Sequence, residues 1–257
     1  MSSTISRDTN QILISVIVPV HNEQDNVKKL LEEIVLVSAQ SGIHEIIFVD
    51  DCSNDETAKR LIKLEQEVER LTVLRHQNQC GQSAAIYTGI LHANNNWILT
   101  MDGDGQNNPA DIPALVNALK ASGNGKVKLV NGNRNRKNNR QDSFVKKLSS
   151  KVANSVRSAL LRDNISDSGC GLKLMCRETY LQLPYFNNIH RFTPALFIRA
   201  GAEVLSVDVS HRPRKRGASH YGMWNRLWVG IVDLLGVSWL MRRGYKAKLR
   251  KTDQARR

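Results

Sequence analysis

Four short, almost wholly apolar runs, each closed by a polar or acidic break and followed by a helical pattern, constrain this chain more than any other feature. The first, Ile14-Ser15-Val16-Ile17-Val18-Pro19-Val20, is β-branched and apolar at both parities, as a strand covered on two faces must be. After it, Val27, Leu30, Leu31, Ile34 and Val35 recur at helical spacing and stop at Ser41-Gly42. Glu45-Ile46-Ile47-Phe48-Val49, Leu71-Thr72-Val73-Leu74 and Trp97-Ile98-Leu99-Thr100-Met101 repeat the strand signature. Between them lie a helix with Ala58, Leu61, Ile62 and Leu64 on its apolar face, capped by Asp55 or Ser53, and a helix from Gly81 to Ala93. The small residues Ala84, Ala85 and Gly89 of the latter allow close packing on a sheet. This β-α-β-α alternation with right-handed crossovers predicts an α/β three-layer sandwich around a mostly parallel sheet.

Ligands of open α/β sheets bind beyond the carboxyl ends of the strands. There the chain places Asp50-Asp51-Cys52-Ser53-Asn54-Asp55-Glu56-Thr57 after the second run and Asp102-Gly103-Asp104-Gly105-Gln106 after the fourth. An isolated Asp-Gly-Asp is more often turn sequence than a site. At a strand end, however, two carboxylates can hold a hard divalent cation and leave its other positions to water and diphosphate oxygens. Pro19 and the short loop to Glu23 leave polar groups free to cup a nucleobase, and Asp51 can take a base N–H or a ribose hydroxyl. Asp50 equally suits a cap or turn.

The second half is less regular. Val127–Val130 reads as a strand, Asn131 to Gln141 as a polar basic loop, Ser143 to Leu161 as a helix, Asp167–Gly171 as a turn, and Glu203–Val209 as a late strand. From Met223 to Met241 the chain is strongly apolar but broken by Arg226 and Asp233, carries three Trp, and runs into Arg242, Arg243, Lys246, Lys248, Arg250 and Lys251. That pattern fits an interfacial helix with a polybasic flank; docking on the core or on a partner subunit is the other reading. The division expected is a polar segment 1–12, one catalytic domain 13–222, and the helix and basic tail 223–257.

The net charge of +13 calls for an acidic partner. The basic residues crowd into Arg134–Lys151 and Arg242–Arg257, without the aromatic interleaving or motifs of nucleic-acid readers, so nucleic acid is not the expected partner. Cys52, Cys80, Cys170 and Cys176 form no C-x-x-C pair, which argues against a zinc ribbon or a disulfide framework and for a cytoplasmic setting. Met1–Asn10 lacks the apolar core of a secretory signal, and no run has the length of a spanning helix.

Taken in order, Val18-Pro19 with Asn22-Glu23, then Asp50-Asp51-x-Ser53-x-Asp55-x-Thr57, then Asp102-Gly103-Asp104 resemble the family 2 inverting glycosyltransferases with a GT-A fold. Asp102-x-Asp104-x-Gln106, Asn131-Gly132-Asn133-Arg134, Asp167-x-x-Cys170-Gly171 and Arg214-x-x-Gly217-x-Ser219 are similar to the dolichyl-phosphate mannose synthase branch and its bacterial polyprenyl-phosphate relatives. The likeness covers about residues 13 to 222. It implies that Pro19, His21, Glu23, Val49 and Asp51 contact the nucleoside, and that Asp102, Gly103, Asp104, Arg214 and His220 complete the nucleotide-sugar site. It implies Mg²⁺ or Mn²⁺ on Asp102, Asp104 and Gln106 as a Lewis acid for the leaving diphosphate, and Arg134 and Arg214 as fixed positive charge on phosphates. For a polyprenyl phosphate acceptor it implies Arg134, Lys146 and Ser150 around the acceptor phosphate, the last two one helical turn apart. Lys146 stands where that branch has Arg, His220 where it has Lys, and Gly103 where it commonly has Ala.

The acceptor decides the mechanism. An anionic lipid phosphate at the membrane surface needs no base, whereas a sugar or lipid hydroxyl needs one, for which Asp167 is the candidate. A membrane-protein partner is plausible in the first case. A non-catalytic nucleotide- or lipid-binding protein is the alternative outside the enzymes, against which the complete Asp102/Asp104/Gln106 set argues.

Overall fold

A computed structural model describes residues 12–123, 125–134, 157–161, 163–213 and 223–243, without the side chains of 223–228. Its sheet has seven strands in the order β3-β2-β1-β4-β6-β5-β7. These are β1 (Ile14–Val20), β2 (Ile43–Asp50), β3 (Leu71–Arg75), β4 (Trp97–Thr100), β5 (Val127–Arg134), β6 (Lys173–Cys176) and β7 (Glu203–Val209). All neighbours are parallel except β6, which runs against both β4 and β5. The α/β sandwich expected from the alternating runs is therefore the architecture observed.

Every residue of β1 is buried, and a buried Val or Ile is worth about 1.5–3 kcal/mol over an exposed one, so this strand anchors the fold. Side chains alternate between two cores: Val16, Val18 and Phe48 face one, and Ile17, Ile47 and Val49 face the other. Helices α1 (Val27–Ser41), α2 (Thr57–Glu67) and α4 (Ile112–Ser122) cover the first core. Helix α3 (Gln82–His92) covers the second, with α5 (Arg177–Leu181), α6 (Thr193–Arg199) and α7 (Met223–Met241). The small-residue expectation for α3 holds: a Cβ on Gly89 would clash with the Ile17 Cγ2, so only Gly lets the helix lie this close to the sheet. Gly42 ends α1 in the left-handed region at φ 71, with its N–H bonded to the Ser38 carbonyl.

Three expectations are corrected. Val35 is 39 % exposed and Val37 6 %, so α1 turns Val37 rather than Val35 to the core. Ile62 is 52 % exposed and leaves the face of α2 to Ala58, Leu61 and Leu64. Strand β5 continues through Arg134, so Asn131–Arg134 are paired to β7 rather than looped. Of the helix read over Ser143–Leu161, residues 157–161 are described and helical.

Helix α7 is two-faced. Val237 is buried at 3 % exposure, Leu234, Leu240 and Met241 pack on the second core, and Arg199 donates to the Leu240 and Arg243 carbonyls at 2.9 and 3.1 Å. Asp233, one of the two charges breaking the apolar run, accepts from Asn188 at 3.0 Å. Val229, Ile231, Val232, Leu235 and Trp239 remain exposed. No helix among the described residues is long and apolar enough to cross a membrane.

Candidate functional site

The loops after β1 and β2 are laced together. Asn22 N–H donates to Ser53 Oγ at 2.9 Å, Glu23 N–H to Thr57 Oγ1 at 2.9 Å, and Gln24 N–H to Asp55 Oδ2 at 3.4 Å. Burial opposes ionisation of Asp55, but the bonds it accepts from Thr57 and Gln24 outweigh this and hold its carboxyl below the ordinary range. Asp50, fully buried, takes the Ser53 N–H at 3.0 Å and pairs with Arg75 at 3.1 Å, so its role is the turn. The Ser53, Asp55 and Thr57 of the motif thus shape the loop that presents Pro19, His21 and Glu23.

Pro19, His21, Glu23, Asp51, Asp102, Gly103 and Asp104 line one cleft of about 390 Å³, together with Val20, Gln79, Gly81 and Gln82. Sequence reasoning brought seven of these together and missed the segment 79–82. Asp51 explains how that segment arrives: its Oδ1 accepts from Cys80 N–H and pairs with His76 Nδ1, both at 2.8 Å, and its Oδ2 accepts from Gly81 N–H at 2.7 Å. His76, Asp51 and Cys80 also have the spacing of a metal trio. With two backbone N–H groups on the carboxylate, however, this is a clamp that fixes the 76–81 loop against the cleft. Val49 is wholly buried in the second core beneath α3, paired in the sheet with Pro19, and its side chain does not line the cleft.

Asp102 follows β4 directly, its N–H bonded to Asn107 Oδ1 at 2.9 Å and its Oδ1 accepting from Gln82 Nε2 at 2.7 Å. Burial, and then the Asp104 charge, push its carboxyl up, against the pull of Lys173 and Arg134. Asp102, whose ionisation the Asp104 charge disfavours, and Asp104 beside it, open to a cleft and made of hard oxygen donors, fit a divalent cation. Gly171 lies so close under the Asp102 carboxylate that no Cβ would fit. Gly103 is equally constrained, since a Cβ there would meet Val20 Cγ1 at 2.5 Å and the Pro19 carbonyl at 2.8 Å. Its Gly therefore suits the tight seat against β1. Gln106 stands apart: its amide reaches the Arg212 carbonyl at 3.4 Å, tying the end of β7, while its N–H braces Asp104 Oδ1 at 3.0 Å.

Arg134 and Asp167 meet at the end of β5. The guanidinium gives Nε–H to Oδ2 and Nη2–H to Oδ1, each at 2.7 Å, and the Arg134 backbone N–H adds a third bond at 3.1 Å. Those bonds push the Arg134 pKa further up and leave the rest of its fork for another anion. A Cβ on Gly132 would clash with the Leu172 carbonyl and Cys170 Sγ at 2.9 Å, so Gly lets the Asp167 turn pack on β5. Arg214, His220, Lys146 and Ser150 lie outside the described residues.

Behind Asp102 a second cavity, about 440 Å³, shares Asp102 and Gln82 with the cleft and extends to α7 at Gly230 and Leu234. Its cations are Arg157, Lys173 and Arg191; its apolar wall includes Ile86, Met175, Tyr180 and Phe192. Arg157 pairs with Asp163 at 2.5 Å. His190 is held by Ser83 Oγ on Nδ1 at 2.7 Å, and burial, with Lys173 and Arg191 nearby, pushes its pKa down to about 3. None of these residues was singled out beforehand, although a Lys inside the apolar run Leu172-Lys173-Leu174-Met175 is a readable anomaly.

Among solved structures, mannosyl-3-phosphoglycerate synthase from Rubrobacter xylanophilus matches with TM-score 0.67 at 17% identity, over 94% of this chain and 78% of that one. A mannosyltransferase from Pyrobaculum calidifontis in complex with GDP-Man and Mn²⁺ matches with TM-score 0.65 at 19% identity, over 93% and 67%. The fold is thus GT-A-like. Among curated proteins, dodecaprenyl-phosphate galacturonate synthase of Rhizobium johnstonii is 35% identical over 240 residues, 91% of this chain and 68% of the relative. Undecaprenyl-phosphate 4-deoxy-4-formamido-L-arabinose transferase of Photorhabdus laumondii is 31% identical over 225 residues, 86% and 66%. The chain thus spans about two thirds of the length of these relatives. The model of Glycosyl transferase family 2 matches residues 15–183, which carry all of the cleft and most of the second cavity, and the chain belongs to that family.

Proposed function

We propose that the protein is an inverting glycosyltransferase that moves a sugar from a nucleoside-diphosphate sugar to a polyprenyl phosphate at a membrane surface. One observation carries this choice of acceptor. Among the described residues that line the cavity behind Asp102 there are three cations and no carboxylate but Asp102 itself, and Asp167, the candidate base, has both oxygens bound by Arg134. A hydroxyl acceptor needs a free base there, whereas an anionic phosphate needs positive charge and an apolar wall for its chain.

In this reading the nucleoside lies against Pro19, His21, Glu23 and Asp51, on the loops that their hydrogen bonds hold fixed. Asp102 and Asp104 hold Mg²⁺ or Mn²⁺, which when bound offsets the charge of the leaving diphosphate. Gln106 braces Asp104. A phosphate oxygen of the lipid attacks the anomeric carbon from the face opposite the diphosphate. The new C–O bond forms as the bond to the diphosphate breaks, and the nucleoside diphosphate leaves with the bonding pair and inverted configuration behind it. Arg134 orients the attacking phosphate, with Lys146 and Ser150 beside it by family likeness, and Arg214 and His220 complete the donor side on the same ground. The exposed apolar face of α7, with Arg242 and Arg243 at its end, rests on the cytoplasmic face of an anionic membrane; a membrane-protein partner fits the same face. Residues 13–222 form the catalytic domain and 223–257 its membrane-facing end.

The test is a panel of UDP- and GDP-sugars with a short-chain polyprenyl phosphate and Mn²⁺, read by mass spectrometry of the lipid. Gain of one sugar mass from a donor is the expected result. Sugar transfer to hydroxyl acceptors alone, or to none, overturns the reading.

A further inference from the structure

The cavity behind Asp102 contains polar groups that the protein itself leaves unanswered. Lys173, on β6 and 4 % exposed, gives a hydrogen bond to the Cys170 carbonyl and makes no ion pair among the described residues. Tyr180, on α5 and 2 % exposed, has a buried hydroxyl with no hydrogen-bond partner among the described residues. His190 has Nδ1 engaged by Ser83 Oγ, which leaves Nε2 on the other side of the ring. All three line the one cavity. Lys173 feels the Asp102 and Asp167 charges without an ion-pair contact, and the Tyr180 phenol has no partner among the described residues, so both keep donor capacity that a ligand would use.

We propose that Lys173, Tyr180 and His190 form a seat for an oxyanion of the substrate, distinct from the Arg134 end of the site. The proposal rests on the glycosyl-transfer reading above and adds to it a specificity element. The seat offers the Lys173 amine and the Tyr180 phenolic O–H as donors, with the His190 ring beside them, and so favours an acceptor group. Burial pushes the Tyr180 phenol up, which keeps it a donor. The oxyanion is either a carboxylate on the transferred sugar, as in a hexuronate, or the phosphate of the acceptor; both present the same chemistry to the seat. Simple compensation of Asp102 does not account for the arrangement. Asp102 accepts one bond from Gln82 and feels the Lys173 charge, but it gives the Tyr180 hydroxyl nothing to bond.

The experiment compares the full chain with Tyr180→Phe and Lys173→Met. Equilibrium binding is measured for a nucleotide-linked hexose, the matching hexuronate and a short-chain polyprenyl phosphate, on whichever of UDP or GDP the protein takes, followed by turnover. Tyr180→Phe removes one oxygen without changing the packing, so its Tm is expected to be unchanged or higher. A loss of about tenfold or more confined to the hexuronate identifies the sugar carboxylate. An equal loss with every donor, seen as weaker polyprenyl phosphate binding, identifies the acceptor phosphate. Unchanged affinity for all three ligands in both variants, or no binding of any by the wild type, overturns the seat. Wild-type binding with variant loss but no transfer to lipid would leave the seat standing and remove the transferase reading instead.

Discussion

The proposed donor and acceptor sides of this site are built on opposite principles. On the proposed donor side, backbone N–H groups of the loops after β1 and β2 are answered by Ser53, Asp55 and Thr57, and those of the loop after β3 by Asp51, so the cleft is held in shape by the protein alone. On the second-cavity side, Lys173 is buried without an ion-pair partner and the Tyr180 hydroxyl without a hydrogen-bonding partner among the described residues, and the shape is finished by whatever enters. Preorganisation suits a nucleotide common to many donors; an unfinished cationic cavity suits the group that sets specificity.

Breaking the donor side at its metal pair gives the largest expected effect. Asp104→Asn should lower kcat/KM by about three orders of magnitude, on the order of 4 kcal/mol, and calorimetry should show Mn²⁺-dependent nucleotide binding lost. Next, Asp51→Asn leaves two backbone N–H groups on a weaker acceptor and frees the 76–81 loop. Urea unfolding should report about 2–4 kcal/mol lost, with nucleotide affinity falling alongside. On the acceptor side, Arg134→Lys keeps charge but loses the fork to Asp167. The expected outcome is about a tenfold rise in acceptor KM with nucleotide affinity retained. Asp167→Asn should act the same way, through Arg134; a lost inflection in the pH–rate profile would instead mark Asp167 as a base.

Protonation separates the two sides more finely. The folded His190 pKa, about 3, lies below its unfolded value of 6.5. As pH falls through that window the unfolded chain binds a proton that the folded chain refuses. Stability is therefore full above 6.5 and declines toward 3, by about 1–2 kcal/mol at pH 5. In His190→Gln, that part of the acid limb of a urea-midpoint profile should flatten. The smallest effect tests the fold: Val35→Ser should change stability by less than about 0.5 kcal/mol, while Val37→Ser, on the buried face, costs about 1–2 kcal/mol.

The same asymmetry decides what the amino-acid order disclosed. Strands β1 to β4 and Asp102/Asp104 were legible because buried parallel strands read as unbroken apolar runs and their ends carry the ligand groups. Val35 and Ile62 misled because an apolar residue at the margin of a helical stripe has the same spacing inside or out. Val49 came from family likeness, and its position one residue before the strand end turns it into the core. Lys173, Tyr180 and His190 come from three separate elements, a strand, a helix and a short turn, and no spacing along the chain brings them together. Of the three, only Lys173 left a trace, as a charge in an otherwise apolar strand.

The reversed direction of β6 has a consequence for how such an enzyme can diversify. Because β6 runs against β5, the chain departs from the sheet at Arg134 and rejoins it at Lys173 on the same rim. The Arg134–Asp167 pair ties the neck of that excursion. A loop tied at its neck changes length at little entropic cost, since closure grows only with the logarithm of length. Of that excursion, Leu161, Cys170 and Leu172 are buried in the cores and Gly171 seats Asp102, so length changes are expected to be tolerated only between residues 135 and 156. New acceptors could be sampled by splicing in other segments there while the sheet, the nucleotide cleft and Asp102 stay as they are.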